Sequence, residues 1–502
     1  MEKEREVIGY IIGETTTTEI SFLSNKPPEV GSYVSIKYLD GREVIGMIEG
    51  VMHGCSVFND VLNVNELLKL RELETKDSFY VTGKIKILGD MEEKKIPKIP
   101  PEPGTEVYSA NEEMLKKIFS EGHVEIGKLI SKDVPVKLDA NKLCSRHLAI
   151  LAITGMGKSN TVSVLLSELN KLNATVLVFD IHGEYKNIES YDEDNKLKIN
   201  IIKPKINIYN IGSGTLADLA GVDVQATKQR PYIRRAVKNV KDNNQEVDFN
   251  SAEDYIKCII EELEGFIEDN KRDTDSIQTA IFRLEDMLQF KKHLITLHYK
   301  PIDKIMENHI NILPLENLDE GDMDIIISHF SKEILADRKE ALRNGSPKPI
   351  LLILEEAHLI IPNNRNTKSK LYISRIAREG RKFGVGLCIV SQRPKTLDPE
   401  SLSQCNNLII SKLIEPTDQS HVQHASESLS EDLIKQLPGL NVGEAIILGP
   451  ALKIPAMVKI NRFNGKYGGE DINIVNIWKG SKSDYDSYDN YKLNILGKDE
   501  LD

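Results

Sequence analysis

An α/β core on a parallel sheet, with a small β-barrel ahead of it and a helical bundle inserted into it, is the fold class that the sequence predicts. Three observations predict it. Short β-branched runs separated by turn residues fill residues 1–110. From about residue 135, continuous apolar runs alternate with helical patterns. One of those runs leads into a glycine-rich turn that closes on Lys-Ser and enters a helical pattern at once.

The barrel strands are expected at Val7–Ile12, Glu19–Leu23, Tyr33–Lys37, Val44–Ile48 and Phe79–Ile85. Turn signals such as Asn25-Lys26-Pro27-Pro28 and Leu39-Asp40-Gly41 part them, and five short strands at this spacing suit a small barrel. The proline-rich stretch Ile96–Gly104 is unfit for a central strand and is expected to lead out of the barrel as an extended segment. Residues 111–134 read as a linker with a short helix around Met114–Phe119. Residues 135–212 and 311–464 read as the core, with strands at 147–153, 175–180, 350–355, 385–391, 407–413 and 444–448. Such continuously apolar strands imply a sheet covered on both faces. The roughly 170 residues between the second and third of these strands exceed any simple crossover. Within them, Ile256, Ile259, Ile260, Leu263 and Ile267 make one helical stripe, and Ile277, Ile281, Leu284 and Leu288 another. Residues 213–310 are therefore expected to form an inserted helical bundle. Its basic segment Lys228–Arg235 is read as a solvated helix face, with a DNA contact as the alternative. Residues 465–502 are expected to be a tail, a candidate lid or neighbour-binding arm, with tyrosines interleaved through Ser481–Tyr491.

At 502 residues the chain has room for two to four domains, and 40% apolar with 28% charged residues is ordinary globular composition. No apolar run approaches a membrane span, and the charged start Met1-Glu2-Lys3-Glu4-Arg5-Glu6 lacks an apolar signal region. A cytoplasmic protein without membrane contact is expected. The five cysteines are scattered without metal-ligand spacing and read as reduced thiols. A net charge of −12 argues against nucleic-acid binding over the whole surface, but leaves room for a local basic channel.

The chemistry concentrates in five segments. Thr154-Gly155-Met156-Gly157-Lys158-Ser159-Asn160, between the apolar run at 147–151 and the helical pattern, reads as a phosphate-binding loop for ATP. Lys158 suits the β- and γ-phosphates, and the Ser159 hydroxyl suits Mg²⁺. The usual pattern opens with glycine, where this chain has Ala152. Ile350–Leu354 runs into Glu355-Glu356-Ala357-His358, so that Glu355 is placed to support Mg²⁺ through water and Glu356 to orient or deprotonate the attacking water. Glu355 stands where aspartate is commoner. Asp180 and Glu184 follow the neighbouring strand and are candidates for outer contacts to metal or water. Arg381 is the first candidate for a positive charge supplied to a neighbouring subunit's phosphate, with Arg378 as the runner-up and Arg146 as a third intersubunit candidate. Gln392, in Ser391-Gln392-Arg393-Pro394, is a candidate γ-phosphate sensor.

Taken together, Ile153–Thr161, Asp180–Tyr185, Glu355–His358, Glu379-Gly380-Arg381-Lys382-Phe383-Gly384, Ser391–Pro394 and Leu437–Ala445 resemble archaeal HerA, in the FtsK–HerA class of DNA motors. The likeness covers nearly the whole chain. It implies a RecA-like P-loop ATPase core behind a small N-terminal barrel of the HAS-barrel kind. It also implies a homohexameric ring that draws duplex DNA through its pore, a NurA nuclease docked on the barrel side, and a role in DNA-end resection beside other repair machinery. Two alternatives remain open at this point: a ring ATPase that moves or remodels protein, and a nucleotide-binding scaffold that recruits a nuclease.

Overall fold

The computed structural model describes residues 6–55, 63–72, 79–92, 95–426, 429–452, 454–468 and 474–478. A closed barrel is formed by β1 (Val7–Ile12), β2 (Glu19–Ser24), β3 (Tyr33–Lys37), β4 (Glu43–Cys55), β5 (Phe79–Asp90) and β6 (Glu106–Ser109), in the order β1-β2-β5-β4-β3-β6. Alternate residues point inward, as a pleated strand requires, and Ile11, Ile20, Phe22, Val34, Ile36, Val44, Ile48, Ile85, Ile87 and Val107 fill the interior. The structure corrects the sequence reading in three ways here. β4 is 13 residues long and runs on past Ile48 to Cys55, with bulges between Ile45 and Gly46 and between Ile48 and Gly50. β6 is a sixth strand, only four residues long and with one β-branched residue, Val107. The proline-rich stretch does not lead out of the barrel. It carries the chain back to β6, which pairs with both β1 and β3 and closes the cylinder.

The way out of the barrel is α1 (Glu112–Phe119), capped by the Asn111 side chain on the Met114 amide at 2.9 Å. The segment expected as linker then supplies β7 (Val124–Leu129), which pairs with β8 (Pro135–Leu138). Both belong to one sheet of 11 strands. Its other members are β9 (Leu148–Leu151), β10 (Val176–Asp180), β11 (Ile199–Ile201), β12 (Ile310–Pro314), β13 (Ile350–Leu354), β14 (Val385–Ser391), β15 (Asn407–Ile410), β16 (Glu444–Leu448) and β17 (Ala456–Ile460). The order is β11-β12-β10-β13-β14-β9-β15-β16-β17-β7-β8. From β11 to β15 every pairing is parallel, and from β15 to β8 every pairing is antiparallel. The expected parallel sheet is thus correct for the half that holds the phosphate loop, and the sheet as a whole is mixed. β12 escaped the sequence reading because Asn311 interrupts its apolar run. That buried side chain donates to the Val176, Met306 and His309 carbonyls, so a polar residue is tolerated mid-strand.

After β9 comes α2 (Lys158–Lys171). Between β11 and β12 lie α3 (Gln229–Asn243), α4 (Ala252–Asp269) and α5 (Thr274–Phe290), which pack on one another. Ile256, Ile259, Ile260 and Leu263 of α4 are buried with Ile277 and Leu284 of α5, while Ile267, Ile281 and Leu288 are partly buried against them. The basic segment at the start of α3 is a solvated helix face, with Lys228, Arg234 and Arg235 exposed, and most of its charges have local partners. Lys228 pairs with Asp273 at 2.7 Å, Arg230 pairs with Asp218, and Arg235 lies 4.6 Å over the Phe266 ring. α6 (Glu320–Arg343) and α7 (Lys368–Glu379) cover the sheet near β13 and β14.

At the end of the described chain, Gly465–Lys466 pairs with Glu189–Ser190. The first residues assigned to a tail are therefore built into the core, whereas Ser481–Tyr491 lies outside the described residues. Among the described residues no helix is long and apolar enough to cross a membrane.

Candidate active site

β9 is apolar at each of its four positions and wholly buried, so its C-terminal end is fixed within the sheet. The chain then turns through Gly155 at φ +79° and Gly157 at φ +93°, left-handed conformations that glycine adopts without strain. Ala152, where glycine was expected, is buried and has no positive φ, so its methyl group costs the loop nothing. α2 begins with no side-chain cap. Its first amides and its dipole are directed into the loop, where an anion suits them. Met156 contributes backbone: its carbonyl accepts from the Gly443 amide at 3.2 Å. Asn160 turns sideways, donating to the Asn461 carbonyl at 2.8 Å and accepting from the Phe463 amide at 2.9 Å.

Around this loop the strand ends gather polar groups. Lys158 pairs with Glu356 Oε1. Thr154 Oγ donates to Gln392 Oε1, at the end of β14. Ser159 Oγ donates to Glu184 Oε2 at 2.6 Å. Asp180 explains how Glu184 gets there. One Asp180 oxygen accepts the Glu184 amide and the other the Tyr185 amide, each at 2.9 Å, so Asp180 shapes the turn that carries Glu184 onto Ser159. Gly468 locks the turn from outside. Its amide donates to the Glu184 carbonyl at 2.7 Å, and a Cβ there would stand 2.7 Å from that same oxygen.

Electrostatics separate the two adjacent glutamates. Glu355 is 1% exposed, and neither carboxylate oxygen has a hydrogen-bond partner among the described residues. Burial, then the charges of Glu184 and Asp180, push its carboxyl well above the usual range. Burial likewise raises Asp180. Glu356 is as buried, at 3% exposure, and burial pushes it up too, but His358 and Lys158 outweigh that and hold it below the usual range. Its backbone lies in the left-handed region at φ +40°, a strained conformation for a residue with a side chain.

The site fits a nucleotide with Mg²⁺. An orphaned buried carboxylate beside two further acids is an arrangement that a cation relieves. The Ser159 hydroxyl gives its proton to Glu184 and so keeps lone pairs for a metal. No group of three or more acid, histidine or cysteine side chains among the described residues could hold a metal unaided. Mg²⁺ held largely by phosphate and water has no need of one.

Arg381 and Arg146 do not join this cluster. Arg381 lies in the turn Gly380–Phe383 before β14, whereas Gln392 follows β14 at its other end. Seven residues of strand separate them, about 23 Å at the rise of an extended chain. Arg146 ends the helix Ala140–Arg146 ahead of β9, and that helix packs on the Gly380–Phe383 turn. His147 ties the two together. Its Nδ1 accepts the Leu387 amide at 3.0 Å and its Nε2 meets the Ala377 carbonyl at 2.9 Å. Both arginines are exposed, and among the described residues neither has an ion-pair partner. Arg378 is taken by Glu400 at 2.6 Å. The sequence reading gave no role to His358 or to the Asn461–Gly468 segment. A histidine two residues beyond the paired acids was the available signal for the first. Nothing in the sequence marked the second, which reaches the loop only through tertiary pairing.

Known proteins agree with this architecture. Residues 124–334 match the family model described as Helicase HerA, central domain, and residues 8–93 match the HAS barrel domain. A probable helicase of Methanocaldococcus jannaschii is 58% identical, covering 99% of each chain. The DNA double-strand break repair helicase HerA of Sulfurisphaera tokodaii is 39% identical over 96% of this chain and 98% of its own length. The solved structure of VirB4 from Thermoanaerobacter pseudethanolicus superposes with a TM-score of 0.50 at 15% identity, covering 68% of this chain and 97% of VirB4, a likeness of fold. On this sequence identity over its whole length, and on the barrel and phosphate-loop core that it folds into, the chain belongs to the HerA family of helicases.

Proposed function

We propose that this helicase is an ATP-driven motor on duplex DNA, assembled as a homohexameric ring and working with a nuclease in DNA-end resection. The observation that carries the ring is the separation within one chain. The phosphate-binding groups collect at the C-terminal ends of β9, β10, β13 and β14, while the exposed Arg146 and Arg381 stand beyond the opposite ends of β9 and β14. A head-to-tail neighbour brings such an arginine to a phosphate, and head-to-tail contacts that close make rings. The alternative of a non-catalytic scaffold gains no support from Glu356, whose carboxyl is kept ionised beside the phosphate lysine.

In this reading the amides of the phosphate loop and Lys158 bind the phosphates of ATP. Ser159 and Glu355 would hold Mg²⁺, with Asp180 acting behind them through Glu184. Bound Mg²⁺ neutralises charge on the β- and γ-phosphates. Glu356 orients the attacking water and accepts its proton. Gln392 follows the γ-phosphate through its bond to Thr154. Arg381 of a neighbouring copy stabilises the charge that develops on the transferred group, and Arg146 makes a second contact across the same junction. Duplex DNA in the pore is held through its phosphates, without strong sequence preference. The barrel is the docking side for the nuclease NurA. Tyr10, Met52 and Phe79, exposed at 48%, 61% and 51%, support a partner there.

Mixed assemblies test the ring. Arg381→Ala is expected to bind nucleotide and lose turnover, Lys158→Ala to lose turnover by failing at the phosphates, and their mixture to recover part of it. No recovery at any mixing ratio contradicts an arginine acting on its neighbour.

A further inference from the structure

Glu356 lies against two groups, an ion-pair partner on each oxygen, although among the described residues Oε2 has no aligned hydrogen bond. Lys158 pairs with Oε1, and His358 Nδ1 lies 3.1 Å from Oε2. The same His358 nitrogen lies 3.4 Å from Ser391 Oγ, and Ser391 ends β14 directly before Gln392. The Ser391 hydroxyl in turn accepts the Arg393 amide at 3.1 Å. His358 is 12% exposed in its side chain, so packing fixes its ring. It thus stands between the acid at the end of β13 and the strand end that reports on the phosphate.

Lys158 cannot serve Glu356 and a nucleotide at once. The phosphates carry more negative charge than one carboxylate and draw the ammonium away. What then remains on Glu356 is His358. A glutamate released at both oxygens regains freedom about its side-chain torsions, and a water placed by it loses its alignment. With His358 still at ion-pair distance from Oε2, the oxygen set free is Oε1, the one that faced the phosphate lysine.

We propose that His358, placed between Glu356 Oε2 and Ser391 at the end of β14, is a positioning residue that keeps Glu356 aimed at the attacking water once Lys158 has moved to the phosphates. This rests on the reading of Glu356 as the water-orienting acid. It adds that the active orientation is completed by nucleotide binding and does not exist beforehand. The Lys158–Glu356 pair is accordingly a resting state, which ATP opens by exchange of partners.

The test is ATP turnover and nucleotide affinity of the full-length protein carrying His358→Ala, His358→Phe or His358→Asn, beside Glu356→Gln. His358→Ala and the volume-filling His358→Phe are expected to lower kcat about 10- to 100-fold. KM for ATP and nucleotide affinity should stay within about twofold, the split expected when an interaction acts on the chemical step alone. Asparagine places its amide donor near the position of Nδ1, so His358→Asn should recover most of the lost kcat. Normal kcat in His358→Ala and His358→Phe, with Glu356→Gln inactive, overturns this inference and leaves the reading of Glu356 intact. Equal loss of affinity and kcat with no recovery in His358→Asn also overturns it, because that is the pattern of a merely structural residue. Turnover that survives Glu356→Gln overturns the reading of Glu356 itself.

Discussion

Lys158 and Glu356 face each other across the phosphate loop, and each explains the other's placement. A buried carboxylate needs a partner, and a lysine waiting for phosphate needs a temporary anion. Replacing Lys158 by alanine is expected to abolish hydrolysis, because the β- and γ-phosphates lose their point charge. Near-normal turnover in that variant would refute the loop assignment. Glu356→Gln is expected to keep nucleotide binding and lower kcat at least about 100-fold, the lower end of general-base effects, measured as turnover at saturating ATP. At this scale the sequence was legible where spacing along the chain sets which residues meet. Lys158, Ser159, Glu355 and Glu356 follow directly from strand ends and a glycine turn. The grip of Asp180 on the Glu184 and Tyr185 amides was not legible, since it depends on how the turn folds back. Nor was the harmlessness of Ala152, which only its ordinary φ reveals.

Elements were read well where their residues are uniform and poorly where they are mixed. β9, β10, β13 and β14 are apolar almost throughout, and each was expected close to its observed bounds. β12 was hidden by Asn311, β6 by its brevity, and β7 by alternation that resembled a polar linker. α6 carries a testable consequence of its own packing. His329 is largely buried there, its Nε2 without a hydrogen-bond partner among the described residues, and burial, helped by Lys332, lowers its pKa from 6.5 to about 4. A histidine that resists protonation when folded contributes stability above its unfolded pKa, and that contribution is lost as pH falls. Folding stability should therefore decline from about pH 6.5 towards pH 4, by about 3 kcal/mol from this group. In His329→Leu that share of the decline should vanish from denaturant titrations across the same range. An unchanged pH dependence would show that His329 is free to charge. In the bundle, Leu263→Ala should cost about 2–5 kcal/mol in the same assay, as for other fully buried leucines.

The whole molecule joins a closed barrel to a mixed sheet through more than a linker. Tyr33 of β3 donates to the Pro455 carbonyl at 2.8 Å, and Ser430 donates to Glu49 of β4 at 2.9 Å. The segment that follows Ser430 runs on to Gly443, which bonds the phosphate-loop residue Met156. Barrel and loop are thus braced by the same stretch of chain. The net charge of −12 fits this organisation if cations line a channel while acids face outward. A motor held by phosphate contacts must then feel salt, because each contact releases counterions. ATP turnover with and without linear duplex DNA, at low and at high salt, tests the central claim most directly. The account predicts strong stimulation by DNA that fades as salt rises. Turnover indifferent to DNA at both salt concentrations would contradict a DNA motor and leave an ATPase whose substrate lies elsewhere.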